Sequence, residues 1–296
     1  MKRFLAIGEC MLELAPAEGE LYRAGFAGDT FNTAWYARQL AAPGIDVAYL
    51  SAVGTDDASL RLEAFVRSAG ITPEFARRAD RSIGLYMIAL KNGERSFSYW
   101  RSHSAARTLA DDLTALPGLQ AGDLAYFSGI TLAILPPEGR VRLLAVLAEA
   151  RRAGIRIAFD PNLRPRLWSD VATMRAAITA GAAVADIVLP SYDDEAVHFG
   201  DADPAACAAR YLAGGAQSVA VKDGPNPVLV VHNGTRLHIV PPQVPQIVDS
   251  TAAGDSFNAA FLLALEAGQG AEAAARAGCG LASKVIGQRG ALVDTR

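Results

Sequence analysis

The 296-residue sequence has few of the residues that build metal sites, disulfide frameworks or membrane spans. Its three cysteines, Cys10, Cys207 and Cys279, are far apart, and no cysteine or histidine pair has the spacing of zinc ligands. A structural zinc site or a set of disulfides is therefore not expected, and a reducing compartment suits this composition. No run of about 18 uncharged apolar residues is present, and Glu9 and Glu13 interrupt the apolar start. We expect a soluble, cytoplasmic protein.

The charge balance and the glycine pattern exclude further classes of protein. A net charge of -3 and a pI near 5.8 give no general attraction to nucleic acid or to an anionic membrane. Any bound phosphate must therefore be held by local geometry. The sequence has no G-x-G-x-x-G motif after a strand and no Walker A motif, so a nicotinamide-dependent oxidoreductase is a poor candidate.

Short apolar runs alternate with stretches of helical periodicity along most of the chain. The runs span residues 3–7, 47–50, 124–127, 155–159, 187–189 and 219–221. One helix is predicted over residues 139–153, with an apolar face formed by Val141, Leu144, Ala145 and Ala148. This alternation favours an α/β fold with a mainly parallel sheet flanked by helices, which binds ligands beyond the carboxyl ends of its strands. The residues expected there are Gly8, Ser128, Gly129, Asp160, Pro190 and Lys222.

Residues 82–102 break this alternation with two strand-like halves around Asn92-Gly93, a dipeptide typical of a two-residue hairpin turn. That turn pairs Lys91 with Glu94, Tyr86 with Tyr99 and Gly84 with Arg101. The hairpin is either a plain surface element or a flap that lays two phenols and a guanidinium over a polar ligand. Residues 13–27 could add further strands to it, so we expect one domain over residues 1–296 with a small β-sheet lid built from both insertions.

The most informative stretch is Asp249-Ser-Thr-Ala-Ala-Gly-Asp255, which precedes a run of helical periodicity beginning near Gly254. The first amides of such a helix lack intrahelical acceptors and can bind phosphate without a basic side chain. Asp255 lies in the same turn, where its carboxylate could accept the proton of a hydroxyl that attacks the γ-phosphorus of ATP. An ordinary helix cap explains Asp255 equally well from local sequence alone.

Three other stretches are compatible with a ligand site but are less specific. In residues 25–40 a glycine-rich turn with Gly28, Asp29 and Asn32 leads into a helix. In residues 159–168 two prolines stiffen a loop that carries Arg164 and Arg166, which suits carboxylate or phosphate binding as well as plain surface exposure. Lys222 ends a strand before a glycine turn, and it could line a nucleotide site or be an ordinary strand exit.

Together these stretches make the chain resemble the ribokinase family of PfkB-type carbohydrate kinases along its full length. The carboxyl-terminal signature D-T-x-G-A-G-D corresponds to residues 249–255, and the amino-terminal Gly-Gly turn with Asn-x-Ala corresponds to residues 27–34. Within the family the chain is most similar to the branch that phosphorylates 2-keto-3-deoxygluconate. The residues that carry this likeness span 8–13, 93–101, 128–134 and 162–168.

The resemblance implies a role for individual residues. Asp255 matches the catalytic base, and the amides of Ala252, Ala253 and Gly254 match an anion hole. The sugar-acid contacts correspond to Gly28, Asn32, Tyr86, Tyr99, Arg101, Arg164 and Asp255. The nucleotide contacts correspond to Asn162, Arg164, Lys222, Asp223, Gly224, Thr251, Ala253, Gly254 and Ser283.

The resemblance also implies ATP as phosphoryl donor and Mg²⁺ as its partner, the metal being held more by phosphates and water than by dedicated protein ligands. A monovalent cation such as K⁺ near Asp249 is left open. The expected product is 2-keto-3-deoxy-6-phosphogluconate, and a homo-oligomer through the lid is expected. The alternatives are a kinase of the same family for fructose, 2-keto-3-deoxygalactonate or a nucleoside, and a sugar-acid-binding regulator without activity.

The sequence departs from the family pattern at three places. Ala252 replaces a glycine at the start of the anion hole, which restricts the backbone there. The magnesium-linked N-x-x-E motif corresponds to Ser191-Tyr-Asp-Asp194, which weakens the case for a metal contact from this loop. Residues 225–227 are Pro-Asn-Pro, where the family has a second glycine in the nucleotide loop, so the adenine contacts stay undetermined.

Overall fold

The structure, a computed structural model, describes residues 1–91 and 94–295, and over those residues it has a nine-stranded sheet and a four-stranded sheet. The strands of the large sheet are, in spatial order, β13 (Thr235–Ile239), β12 (Val228–His232), β11 (Ser218–Val221), β10 (Ile187–Val188), β9 (Arg156–Asp160), β8 (Leu124–Ser128), β1 (Arg3–Ile7), β4 (Asp46–Val53) and β5 (Thr72–Arg77). The strands of the small sheet are, in the same sense, β3 (Tyr22–Ala27), β2 (Met11–Pro16), β6 (Leu85–Lys91) and β7 (Glu94–Trp100).

Helices cover both faces of the large sheet, as the α/β prediction requires. In chain order they are α1 (Asp29–Leu40), α2 (Asp57–Ser68), α3 (Gly129–Ile134), α4 (Pro137–Arg152), α5 (Val171–Ala183), α6 (Tyr192–Phe199), α7 (Pro204–Ala213), α8 (Ala253–Glu266) and α9 (Ala271–Ile286). Short 3₁₀ turns span Ala105–Thr108 and Pro165–Leu167. Among the described residues, no helix is both long enough and apolar enough to cross a membrane.

The sheet separates two apolar cores because successive side chains of a strand point to opposite faces. In β1, for example, Phe4 and Ala6 pack with α1, α2, α8 and α9, whereas Leu5 and Ile7 pack with α3, α4, α5 and α7. Both sets are fully buried, so the central strands read as continuous apolar runs. The predicted strands are confirmed, and β12 and β13 extend the parallel sheet in antiparallel fashion at one edge.

The predicted apolar face of α4 is wrong. The helix buries Leu143, Val146, Leu147 and Ala150, while Val141 is 69% exposed. Both sets of residues have helical spacing, so periodicity alone does not choose between them. The buried set carries two leucines and a valine, and it removes more apolar surface from water than the predicted set does.

The small sheet confirms the predicted hairpin register. Lys91 is paired with Glu94, and Tyr86 is paired with Tyr99. Gly84 extends this register, because a Cβ placed on it would stand 3.2 Å from the Cβ of Arg101. The Asn92-Gly93 turn itself lies outside the described residues. The predicted extra strands over 13–27 are present as β2 and β3, with β2 beginning two residues earlier, at Met11.

One face of the small sheet packs against the carboxyl-terminal part of the chain. Met11, Tyr86 and Ile88 are buried in a cluster with Ala291, and Ala252 packs against the same cluster. The small sheet therefore packs beside the residues that precede α8. The parallel strands of the large sheet end at the same edge, so the residues after them converge there.

Candidate active site

The amino-terminal turn of α8 lies at the carboxyl edge of the large sheet. The helix begins at Ala253, and Asp255 is in its first turn, as the sequence predicts. The residue before the helix, Ala252, has φ 62° and ψ 15°. Left-handed backbone is unfavourable for a side chain, which explains why a glycine is the usual residue at this point in the resembling family. The strain predicted for Ala252 is thus visible in its backbone angles.

The amides at this helix end are arranged to receive an anion. The first amides of any helix have no acceptor within the helix, and the helix dipole is positive there. Of the three amides assigned to the anion hole, that of Ala253 donates to the carbonyl of Ser250 over 3.3 Å. A bound phosphate would share or replace that long hydrogen bond.

The carboxylate of Asp255 is partly buried and held by α1. The side-chain amide of Asn32 donates to Asp255 Oδ2 over 2.8 Å. Burial, together with the negative charges of Asp29 and Asp160, raises the pKa of Asp255 to about 8, against the opposing effects of Asn32 and Lys222. A carboxyl group with such a pKa exchanges a proton near neutral pH, as a general base must.

A glycine next to α1 allows two backbone segments to approach each other closely. A Cβ on Gly28 would stand 2.1 Å from the carbonyl oxygen of Glu9, so a side chain does not fit there. The amide of Gly28 in turn donates to Asn32 Oδ1 over 3.3 Å. Gly28, Asn32 and Asp255, which the sequence assigns to substrate binding, are therefore brought together by hydrogen bonds.

Behind the first turn of α8 lies a buried polar network at the ends of β9 and β11. The ammonium of Lys222 donates to Asp160 Oδ2 over 2.9 Å and to Asn258 Oδ1 over 3.1 Å. Asn258 also donates to Asp160 Oδ2 over 2.6 Å and to the hydroxyl of Tyr126 over 3.1 Å. The side chain of Lys222 is 11% exposed. Its ammonium thus faces inward, toward the base of the site.

The loop after β9 carries the predicted Asn162 and Arg164. Asn162 has φ 35° and donates from its side chain to Asp29 Oδ2 over 2.8 Å, which links this loop to the start of α1. The half-exposed guanidinium of Arg164 lies 3.6 Å from a carboxylate oxygen of Asp194. Burial raises the pKa of Asp194, while the charge of Arg164 opposes this shift. Arg164 is therefore placed between solvent and the first turn of α6.

The hairpin residues occupy the other side of the site. Tyr86 and Tyr99 have ring centroids 5.9 Å apart, and the guanidinium carbon of Arg101 is 6.0 Å from the centroid of the Tyr99 ring. The hydroxyl of Tyr86 donates to a carboxylate oxygen of Glu13. Burial and that carboxylate raise the pKa of Tyr86 far above its ordinary value, so the phenol stays protonated.

Arg101 forms an ion pair that the sequence did not predict. Its guanidinium contacts Glu9, which is 2% exposed. Glu9 Oε1 and Arg101 Nε have no hydrogen-bond partner among the described residues, although both are buried. Buried polar atoms are normally satisfied, so a polar ligand or a water molecule would complete the bonding of these two atoms.

The remaining nucleotide candidates lie on separate segments. Asp223 and Gly224 form a turn closed by a 2.8 Å bond from the amide of Asn226 to the carbonyl of Asp223. Thr251 donates its amide and its hydroxyl to Asp249 Oδ1, which shapes the loop before α8. Ser283 on α9 donates to the carbonyl of Pro242 over 3.4 Å.

These segments have the arrangement found in a known group of enzymes. Residues 1–295 match the pfkB family of carbohydrate kinases. A 2-dehydro-3-deoxygluconokinase of Dickeya dadantii is 40% identical over 301 residues, which cover 99% of this chain and 97% of that relative. The chain belongs to the pfkB family of carbohydrate kinases. The fold class and the enzyme class expected for this kinase are thereby confirmed.

Two further known proteins resemble this kinase. A 2-dehydro-3-deoxygluconokinase of Escherichia coli K12 is 37% identical, with 99% of this chain and 97% of that relative covered. The structure of a fructokinase from Vibrio cholerae, in its fructose-, ADP- and calcium-bound form, superposes with a TM-score of 0.85. It is 22% identical, and the match covers 99% of this chain and 95% of that chain. The second likeness concerns the fold alone.

Sequence reasoning missed several polar residues of the kinase site, above all Glu9, Glu13 and Asn258. Asn258 had a usable signal, because it follows Asp255 by three positions and stands alone among apolar residues of α8. Glu9 and Glu13 had a weaker sequence signal, since they are two acids in an otherwise apolar segment that leads into the small sheet. Their partners, Arg101 and Tyr86, are more than 70 positions away, and local pattern cannot supply such pairs.

The neighbouring carboxylates of Asp160 and Asp194 differ in how open they are to a metal ion. Both oxygens of Asp160 already accept hydrogen bonds, from the amide of Asn162 and from Lys222 and Asn258. The side chain of Asp194, by contrast, is 37% exposed. This suits a metal held mainly by phosphates and water, with Asp194 as the protein group available to orient a coordinated water.

A second group of acidic residues in the kinase is paired with an arginine. Glu195, Asp201 and Cys207 have side chains close enough together to consider a metal. Arg210, however, donates to both carboxylates, over 2.7 Å to Glu195 and 2.6 Å to Asp201. The guanidinium therefore already occupies both carboxylates of this cluster, which joins α6 to α7 and has a structural role.

Replacing Ala252 by glycine should stabilise the kinase. The substitution removes the cost of a left-handed alanine, about 1–2 kcal/mol, and adds unfolded-state entropy worth about 0.4–1 kcal/mol. We expect the free energy of unfolding in urea to rise by about 0.5–1 kcal/mol. Ala253→Gly is the matched control, since the next residue is helical and should be destabilised by about 0.5–1 kcal/mol. Equal destabilisation by both glycines would contradict the strain at Ala252.

Proposed function

We propose that this pfkB-family kinase transfers the γ-phosphoryl group of ATP to 2-keto-3-deoxygluconate, giving 2-keto-3-deoxy-6-phosphogluconate. The observation that supports it best is the position of Arg101, whose guanidinium lies beside Tyr86 and Tyr99 in the small sheet. Arg101 Nε has no hydrogen-bond partner among the described residues, so it offers a substrate carboxylate a charged donor. The Dickeya dadantii and Escherichia coli relatives carry the corresponding name.

In the proposed reaction Asp255 acts as the general base. Its carboxylate takes the proton of the terminal hydroxyl as that oxygen attacks the γ-phosphorus, and Asn32 holds the carboxylate in position through Oδ2. The hydroxyl proton ends on Asp255, the new phosphate ester forms, and ADP leaves. Mg²⁺, when bound, neutralises part of the charge on the ATP phosphates.

The amides at the start of α8 stabilise the transferring phosphoryl group in this proposal. They lie in a helix terminus that is already folded, so little reorganisation accompanies the development of charge. Arg164, with its half-exposed guanidinium, is placed to reach phosphate or the sugar acid from the loop after β9. Lys222, Asp223 and Gly224 are proposed to line the nucleotide side.

The small sheet acts as the lid. It carries Tyr86, Tyr99 and Arg101 on one side of the site, and its face packs against Ala252. Closing it over the sugar would exclude water and so limit hydrolysis of ATP. Its exposed aromatic residues, Tyr22, Phe97 and Trp100, suit the proposed contact with a second copy of the chain.

A kinase for a neutral sugar such as fructose is the second candidate, and one observation favours it. Glu9 already balances the charge of Arg101. A neutral hydroxyl compound could then accept from Arg101 Nε and donate to Glu9 Oε1, the two buried atoms that have no partner among the described residues. An ADP-release screen of sugar acids and neutral sugars with Mg²⁺ and ATP decides between the two candidates.

Asp255→Asn should lower kcat by about 100- to 10,000-fold, the usual range for loss of a general base. Asp57→Asn is the matched control, because Asp57 lies in the first turn of α2 but is exposed to solvent. Its kcat should stay within about twofold of the wild type, since surface substitutions rarely matter. Near-normal turnover of Asp255→Asn would show that another group takes the proton.

The melting temperature of Asp255→Asn shows whether this variant is folded. Because the folded-state pKa of Asp255 is raised to about 8, the wild type loses stability as pH rises through that value. Asparagine does not ionise, so Asp255→Asn should unfold at a temperature equal to or above that of the wild type at pH 8. A lost activity with a lowered melting temperature would indicate misfolding instead.

The activity of the wild type should increase with pH. The base must be unprotonated, and with the pKa of Asp255 at about 8, roughly a tenth of the free enzyme is active at pH 7. The value of kcat/KM should therefore rise about tenfold from pH 7 to a plateau above pH 9. A profile that is flat from pH 6 to pH 9 would contradict the assigned ionisation of Asp255.

Removing the charge of Arg101 distinguishes an acid substrate from a neutral one. The double variant Glu9→Gln, Arg101→Met removes both charges, so that neither is left buried alone. We expect KM for 2-keto-3-deoxygluconate to rise about 10- to 150-fold, equivalent to a charged hydrogen bond of about 1.5–3 kcal/mol. KM for a neutral sugar should change less than about threefold if Arg101 binds only a carboxylate, and it should rise as well if a sugar hydroxyl binds this pair.

Arg23→Met is the control for this double variant. Arg23 is an exposed arginine of the same small sheet, and its loss should leave KM unchanged. An equal increase in KM for acid and neutral sugars would indicate that Arg101 supports the pocket without recognising a carboxylate.

A further inference from the structure

Asp160 and Lys222 form a charge pair whose effect on Asp255 the mechanism above leaves out. Asp160 is 3% exposed, and both of its oxygens accept hydrogen bonds. Oδ1 accepts from the amide of Asn162, and Oδ2 accepts from Lys222 and Asn258. These contacts fix the position of the carboxylate.

The pair is attached to the helix turn that carries Asp255. Asn258, which contacts both members of the pair, lies three residues after Asp255 on α8. The ammonium of Lys222 stands 3.5 Å from the point that a Cβ of Gly254 would occupy. Charges at this depth are weakly screened by solvent and act strongly on a neighbouring carboxylate.

Ionisable groups face Asp255 from several elements. Asp29 and Tyr36 belong to α1, Tyr126 to β8, Asp160 to β9, and Lys222 follows β11; Asp249 lies in the loop before the helix. The tyrosines have raised pKa values and are neutral near pH 8. The charge balance at Asp255 therefore depends chiefly on two neighbouring carboxylates and one ammonium.

We propose that Asp160, Lys222 and Asn258 are positioning residues that tune the basicity of Asp255: Lys222 keeps the catalytic carboxylate ionisable, and Asp160 holds that ammonium and offsets part of its charge. Asn258, which is neutral, orients both charges through its amide. The inference rests on the proposed role of Asp255 as base. The direction of each effect follows from the signs of the charges, since anions raise the pKa of Asp255 and the cation lowers it.

Moving a negative charge between the contacting residues 160 and 258 tests this role, because Asp and Asn side chains have nearly the same shape. Asp160→Asn removes one anion, so the midpoint of the kcat/KM profile should move about one pH unit toward acid. Asn258→Asp adds an anion to the same cluster, and the midpoint should move about one unit toward alkali. The combined variant Asp160→Asn, Asn258→Asp restores the net charge, and its midpoint should return to within about 0.3 units of the wild type.

A merely structural role would give a different result. If Asp160→Asn and Asn258→Asp lower kcat while both midpoints stay at the wild-type value, the electrostatic role is excluded. Midpoints that move in the same direction would exclude it as well. Asp255→Asn separates this failure from failure of the proposed function, because that variant tests the base itself. The melting temperature of each variant, measured at pH 7, confirms that the compared enzymes are folded.

Discussion

Burial of α8 is the constraint on which the rest of the structure depends. Every residue of this helix from Ser256 to Leu265 is buried, between the sheet, α1 and α9. A helix enclosed in this way cannot shift or tilt without opening the core, because protein interiors are close-packed. Its amino terminus, with the free amides and Asp255, is therefore held at the carboxyl edge of the sheet. In the proposed function, the sugar and the phosphate meet at that point.

The surrounding loops add groups that α8 cannot supply. Gly28 and Asn32 come from α1, Asp160 and Asn162 from the end of β9, and Lys222 from the end of β11. Each follows a strand or begins a helix, so its backbone position is set by the packed core. Asn162, with its positive φ, bends the loop so that its side chain meets Asp29 across the site. The site thus depends on contacts between segments that are distant in sequence.

Local sequence predicts the parts of this structure that follow a hydrophobic period or a short-range rule such as the length of a turn. The buried strands follow from apolar runs, and the register of Tyr86 opposite Tyr99 follows from counting outward from a two-residue turn. The start of α8 follows from small residues before a helical repeat. The apolar face of α4 was predicted wrongly because two faces had equal periodicity, and the choice between them was made by the sheet beneath.

Local sequence does not predict which charged residues contact each other. The sequence identifies Arg101 and Lys222 as cations that could meet a ligand. It does not identify Glu9 or Asp160 as the carboxylates that they contact, since those pairs are 92 and 62 positions apart in the chain. Such pairs form because a buried charge without a partner is costly, and the fold supplies whichever opposite charge lies within reach.

The pairing of these cations changes how the site can hold anions. Arg101 contacts Glu9, Arg164 lies near Asp194, and Lys222 contacts Asp160, so each of these basic groups stands beside a carboxylate. The site therefore has little excess positive charge, in keeping with a net charge of -3. In the proposed reaction, phosphate binding would then depend on backbone amides and the dipole of α8, whose partial charge needs no counter-ion. A substrate carboxylate would instead bind by sharing Arg101 with Glu9, which makes the affinity for an acid sensitive to the state of that one ion pair.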